Sequence, residues 1–164
     1  MLDVSAPKQI RAREALNNPA SVEAEECRRS LFRFMGSFWD EINADSPQWN
    51  WHIPYLCGQL MNLAKRVSLG LPKKNDLIIN IPPGTTKSMT CSVFFPVWCW
   101  LDWSWMRFIT ASYSAQLSQE LSEYSRDLIR SEKFGRLFPE IEVKQDKDTK
   151  TNYRIQRRVF DSEG

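Results

Sequence analysis

The stretch Asn80-Ile81-Pro82-Pro83-Gly84-Thr85-Thr86-Lys87-Ser88 brings together the groups needed to hold a phosphate chain. It leaves an apolar run, turns through small residues and enters a helix at Lys87-Ser88. Such a path aims successive backbone N–H groups and the positive end of a helix at one point, which makes an anion site. The Lys87 ammonium adds a full charge for the β and γ phosphates, and the Ser88 hydroxyl is placed to ligate Mg²⁺. Pro83, Gly84, Thr85, Thr86, Lys87, Ser88 and Met89 are the expected nucleotide-binding residues. The pattern departs from the usual phosphate loop, which has glycine six residues before the lysine and again directly before it. Ile81 and Thr86 occupy those positions here, and Gly84 lies between them. An ordinary turn capped by Thr85 or Thr86 is the alternative reading.

Other reactive residues form weaker patterns. His52 is the only histidine, and no partner acid is evident that would make it a general base. Cys27, Cys57, Cys91 and Cys99 include no closely spaced pair, which argues against structural zinc. Trp98, Trp100, Trp103 and Trp105 read either as an aromatic platform for single-stranded DNA or as core, and packing is the commoner outcome. Lys144, Lys147, Lys150, Arg154, Arg157 and Arg158 form a basic cluster suited to a DNA backbone. Glu142, Asp146 and Asp148 interleave with it, which favours a solvated face.

The elements that position these residues follow from composition and period. A hydrophobic fraction of 42% excludes a disordered chain, and a formal charge of +2 neither demands nor excludes nucleic acid. The amino-terminal stretch lacks the apolar core of a signal peptide, and Val93–Leu101 is too short an apolar run to span a bilayer. The expectation is a soluble, reduced, intracellular protein without membrane association. Residues 1–20 read as a flexible arm, and residues 21–164 as one folded unit. Ser21 is expected to cap a helix reaching about Asn43, and Pro54 to start a second that ends at Gly70. Leu77–Ile81 and Arg107–Ala111 read as strands buried on both faces of a parallel sheet. Between them lies a helix from Lys87 that Pro96 kinks or ends. A further helix carries Leu117, Leu121, Tyr124 and Leu128, a short turn spans Glu132–Phe138, and Ile141–Val143 and Tyr153–Phe160 read as strands. This order predicts a three-layer α/β domain of the P-loop NTPase type. It would have a mostly parallel sheet and a helical lead-in, and would be incomplete at its C-terminal end.

An ordered set of motifs resembles the large terminase subunit of tailed bacteriophages, a DNA-packaging ATPase. The set comprises Asn80-Ile81-Pro82-Pro83, then Lys87-Ser88, Phe95-Pro96-Val97-Trp98, Ala111-Ser112-Tyr113-Ser114 and the aromatic segment Phe134–Pro139. The helix Phe34–Trp39 and the stretch Trp51-His52-Ile53-Pro54-Tyr55 resemble the family's lead-in, so the likeness covers about residues 30–163. Many family members carry arginine or another polar residue at the position of Gly84 and glycine at that of Thr86.

The resemblance implies ATP and Mg²⁺ as cofactors, with Ser88 on the metal. It also implies double-stranded DNA, a portal protein and a small terminase subunit as partners. The complete protein would form a homo-oligomeric ring in the cytoplasm of the bacterial host. Trp51, His52 and Tyr55 would lie near the adenine, with packing as the alternative role. Arg126 or Arg130 would supply an arginine to the γ phosphate, unless both are solvated helix positions. The family's acidic pair, which holds Mg²⁺ and positions water, has no match before Asp161-Ser162-Glu163-Gly164, and the nuclease domain has none either. The chain is therefore expected to be the ATP-binding part of the motor. The alternatives are a folded but catalytically silent prophage remnant and another P-loop enzyme such as a helicase or kinase.

Overall fold

The computed structural model describes residues 18–144 and 153–158. The expected arm as far as Asn17, the charged turn with Asp146, Lys147, Asp148 and Lys150, and the acids Asp161 and Glu163 lie outside the described residues.

The described chain opens with α1, Pro19–Arg29. It begins before the expected Ser21 because Asn18 is the cap, its Oδ1 accepting the Ala20 N–H at 3.0 Å, and Pro19 fits the first helical position. The single helix expected to reach Asn43 is broken at Ser30, which is extended (φ −144°, ψ 116°). Its hydroxyl accepts the Arg33 N–H at 3.3 Å and starts α2, Leu31–Phe38, which tightens into a 3₁₀ turn at Trp39–Glu41. Helix α3, His52–Ser68, takes Pro54 into its first turn, where a missing N–H costs nothing. It closes on Gly70 (φ 67°), with Gly70 N–H bonded to Val67 and Leu71 N–H to Arg66, both at 3.0 Å.

Beyond the loop, a π-helical turn, Met89–Phe94, runs directly into α4, Phe95–Asp102. Helix α5, Ala115–Arg130, is capped by the Ser114 hydroxyl on the Leu117 N–H. The expected turn after it is a short helix, α6, Glu132–Leu137, capped by Ser131. Strand β1, Ile141–Val143, pairs antiparallel with β2, Ile155–Arg157, in the register Ile141 to Arg157 and Val143 to Ile155.

This architecture overturns the expected three-layer α/β P-loop fold. The described residues are mostly helical, and their sheet has two antiparallel strands. The reason lies in pairing. Leu77–Ile81 and Arg107–Ala111 run outside any helix or strand, and among the described residues no main-chain N–H or C=O in either makes a hydrogen bond. Local apolar character favours a strand, but a strand exists only with a ladder partner. Among the described residues no helix is long and apolar enough to cross a membrane.

The helices wrap a core of Phe34, Phe38, Phe94, Phe134 and Phe138, all fully buried. Phe34 and Phe38 meet at 4.8 Å and Phe134 and Phe138 at 5.2 Å between ring centroids, while Trp39 stacks on Phe94 at 5.8 Å. The tryptophans after the loop do not form one platform. Trp98 is buried and donates to the Cys27 carbonyl at 2.9 Å, Trp100 donates to Met106 at 2.9 Å, and Trp103 meets Trp98 edge-on. In the basic cluster Arg158 pairs with Glu142, and Arg157 donates to the Leu101 carbonyl at 2.9 Å.

Two polar ties hold the helical layer together. Arg28, whose side chain is 9% exposed, donates to the Leu101 carbonyl, pairs with Asp102 and Glu140, and lies over the Phe138 ring at 4.9 Å. Removing Arg28 leaves two partly exposed carboxylates and the Leu101 carbonyl without their shared donor. Arg28→Met is therefore expected to lower the unfolding free energy by about 1–2 kcal/mol, and an unchanged urea midpoint would exclude this role.

The second tie joins Glu23 to the Ser37 hydroxyl at 2.6 Å and to Lys133 at 2.9 Å. The Ser37 hydrogen bond first, and then Lys133, hold the Glu23 carboxyl below its ordinary 4.5, against the opposing effect of burial. A lowered native value gives stability that is present above the unfolded pKa and is lost as pH falls through the native one. The stability gap between wild type and Glu23→Gln should thus be widest above about pH 5 and close on acidification, as followed by denaturant titrations across that range.

Candidate nucleotide-binding site

The loop between Pro82 and Ser88 is built on two left-handed residues, Gly84 (φ 77°) and Thr86 (φ 60°). Glycine adopts this conformation freely, whereas a β-branched residue there carries strain of about 1–3 kcal/mol. Thr86 occupies the position directly before the lysine where a standard phosphate loop has glycine, and it adopts the backbone conformation that glycine favours.

The threonine hydroxyls do not cap the turn. Thr85 Oγ1 donates to the Pro82 carbonyl and Thr86 Oγ1 to the Thr85 carbonyl, each at 2.6 Å. The first helical bond is Thr90 N–H to the Thr86 carbonyl at 2.8 Å, reinforced by Thr90 Oγ1 at 3.0 Å. Among the described residues, the amides from Gly84 to Met89 donate no hydrogen bond. A run of free amides at a bend and a helix start is the donor set that an anion requires.

Lys87 adds the charge. It is half-buried and makes no ion pair or hydrogen bond among the described residues. One turn on, burial pushes the Cys91 thiol up, and the nearby Lys87 partly offsets it. Ser88 is exposed at the first turn, with its hydroxyl unbonded among the described residues. These groups fit a phosphate chain carrying Mg²⁺: amides and an ammonium for the oxygens, and a hydroxyl for the metal. Among the described residues no three His, Cys, Asp or Glu side chains gather as a metal site.

The helix behind the loop is anchored through Pro96. Proline has no N–H to offer the Ser92 carbonyl four residues back. The helix widens there instead, with the Phe95 N–H reaching Thr90, and the released Ser92 carbonyl lies 3.4 Å from the Ser125 hydroxyl, which bonds the Leu121 carbonyl of its own helix more closely at 3.0 Å. Pro96 was expected to kink or end this helix; it marks a π-turn through which the helix continues. On the other side α3 packs against the π-turn. Burial, with Cys91 as a lesser cause, pushes the Cys57 thiol up to about 12.

The remaining expected site residues are distributed differently. Trp51 is 80% exposed and Tyr55 is also exposed, both at the start of α3, while Trp49 packs edge-on against Trp39 at 5.5 Å. His52 is half-buried, and its Nε2 is sealed from solvent without a partner among the described residues. Arg126 lies beside Tyr153, whose hydroxyl is pushed up to about 12 by burial and eased by Ser125 and Arg126. Arg130 is exposed in the last turn of α5. No described contact brings either arginine to Lys87. Sequence reasoning missed the support from Ser125 and Thr90, and the one signal for the former was a proline four residues after Ser92.

No protein-family model matches the chain, and no curated protein or solved structure matches it either.

If Thr86 is held in strain by its surroundings, glycine should relieve it. Thr86→Gly is expected to raise the unfolding free energy by about 1 kcal/mol. A loss of stability in thermal or denaturant unfolding would show that the left-handed bend is not the ground state of the loop.

Proposed function

We propose that this chain binds a nucleoside triphosphate, ATP with Mg²⁺, at Pro83–Met89, as the ATP-binding part of a viral DNA-packaging motor of the large-terminase type. The observation that carries the binding reading is the bend itself. Two left-handed residues turn a run of amides toward the start of a helix, beside a half-buried lysine, and among the described residues neither the amides nor the lysine has a partner. A cation withdrawn from water without a counter-ion is costly, so a site that keeps one is suited to receive an anion. In this reading the amides of Gly84–Ser88 cradle the β and γ phosphates, Lys87 balances their charge, and Ser88 contributes an oxygen to the magnesium. Ser88 would hold the metal, which when bound would offset negative charge on the phosphate oxygens.

The packaging role rests on the ordered motifs from Asn80 to Pro139 that resemble the terminase large subunit. With that role go double-stranded DNA, a portal protein and a small terminase subunit as partners, a ring of subunits in the complete protein, and work in the cytoplasm of the bacterial host. Trp51, His52 and Tyr55 remain the proposed neighbours of the base, and Arg126 or Arg130 the proposed source of a γ-phosphate arginine. A small-molecule kinase would share the loop but respond to neither DNA nor portal, and a helicase would respond to DNA but not to portal.

Lys87→Ala is expected to weaken binding of a fluorescent, non-hydrolysable ATP analogue with Mg²⁺ by at least about tenfold, the loss of one charge-assisted contact. Equal affinity in the two proteins, with circular dichroism unchanged, would remove the basis for a phosphate site. Binding without turnover would identify a nucleotide-holding module rather than a self-sufficient ATPase.

A further inference from the structure

Thr90 is fully buried, while Met89 and Cys91 on either side of it are half-buried. Its amide and its hydroxyl both donate to the Thr86 carbonyl, at 2.8 and 3.0 Å, and its own carbonyl accepts the Phe95 N–H across the π-turn. A threonine inside a helix can bond the carbonyl four residues back without consequence for function. Here that carbonyl belongs to the left-handed Thr86, and the turn closed by the two bonds encloses Lys87, Ser88 and Met89. A carbonyl oxygen has two lone pairs, so two donors occupy it fully and pin it toward the helix.

The Thr86 carbonyl and the Lys87 N–H belong to one planar peptide unit, and in the trans form they point opposite ways. No peptide bond among the described residues is cis. Holding the carbonyl toward the helix therefore aims the Lys87 N–H out through the helix start, where among the described residues it donates to nothing. We propose, on the reading that Pro83–Met89 binds a phosphate chain, that Thr90 is a positioning residue which fixes the Thr86–Lys87 peptide plane so that the Lys87 amide faces the anion. Thr90 is sealed behind the loop and acts through Thr86. Without its hydroxyl one bond to the carbonyl remains, and the strained Thr86 is freer to relax into conformations that turn the plane. Molecules with the plane turned do not bind, so the apparent affinity falls with the fraction that keeps it set.

The test separates the hydroxyl from the packing. Thr90→Val removes the hydroxyl and keeps the branched shape, whereas Thr90→Ser keeps the hydroxyl and removes a buried methyl. Thr90→Ala differs from Thr90→Ser by the hydroxyl alone, so that pair gives a second comparison without the added methyl of valine. Each variant of the full chain is titrated with a fluorescent, non-hydrolysable ATP analogue and Mg²⁺, and its urea midpoint is measured alongside. Thr90→Val and Thr90→Ala should each bind about fivefold more weakly than wild type, the loss of one neutral hydrogen bond. Thr90→Ser should stay within about twofold of wild type even though its lost methyl lowers the midpoint. A purely structural role predicts instead that affinity tracks the midpoint through all the variants, and that outcome overturns the proposal. So does a wild type that binds while Thr90→Val and Thr90→Ala bind equally well, which leaves the phosphate site standing. A wild type that binds no analogue removes the phosphate site, and this role with it.

Discussion

The guanidinium of Arg28 sets the frame on which the candidate site depends. A charge that is 9% exposed is tolerated only when it is fully paired, and its partners come from three places. Leu101 and Asp102 lie at the end of α4, Glu140 follows α6, and Phe138 supplies a ring face. Arg157 of β2 donates to the same Leu101 carbonyl. Two guanidinium groups thus converge on the C-terminal end of a helix, where the carbonyl dipoles favour positive charge. The opposite end of that continuous helical run carries Lys87 and Ser88. Fixing its C-terminal end against α1 and the ribbon therefore fixes where its N-terminal end points.

Between these ends the widened turn at Met89–Phe94 tailors the helix to its neighbours. An unbroken α-helix would have left the Ser92 carbonyl facing the ring of Pro96 with no donor. The wider turn opens the Ser92 carbonyl toward the Ser125 hydroxyl at 3.4 Å, a secondary contact beside that hydroxyl's 3.0 Å bond to the Leu121 carbonyl of its own helix. Phe94 and Trp98 then bury into the core on either side of Pro96, with Trp98 bonded to the Cys27 carbonyl. The loop is thus held from behind at the Ser125 contact, the aromatic core and the Arg28 cluster.

Helices were largely legible in the sequence, but their N-caps were not, since Ser21 was expected where Asn18 caps α1. The apolar spacing of Leu31, Phe34, Met35 and Phe38, the Gly70 stop and the ribbon strand at Ile141–Val143 all follow from local rules. Ser30 was not read as a break, because one serine within a periodic run leaves the pattern of Phe and Leu intact. The loop residues were legible as a set, but the backbone angle that makes Thr86 useful was not, since threonine seldom adopts it. The sheet was not legible for a more basic reason. Leu77–Ile81 and Arg107–Ala111 have the composition of strands, but pairing is non-local and no residue within either segment encodes a partner.

That difference bears on how the loop comes to its shape. In a sheet-based phosphate loop, neighbouring strands hold the strand that leads into the bend. Here Leu77–Ile81 is held on one face, by Ile79 against the core, and among the described residues by no main-chain bond. The constraint on the bend therefore comes from its downstream side, through Thr90, whose amide and hydroxyl both bond the Thr86 carbonyl. Thr90 is fully buried, so this double bond is shielded from water and competes well against relaxation of the strained threonine. A left-handed β-branched residue persists only when its surroundings over-determine it. In this chain the over-determination runs backward from the helix into the loop.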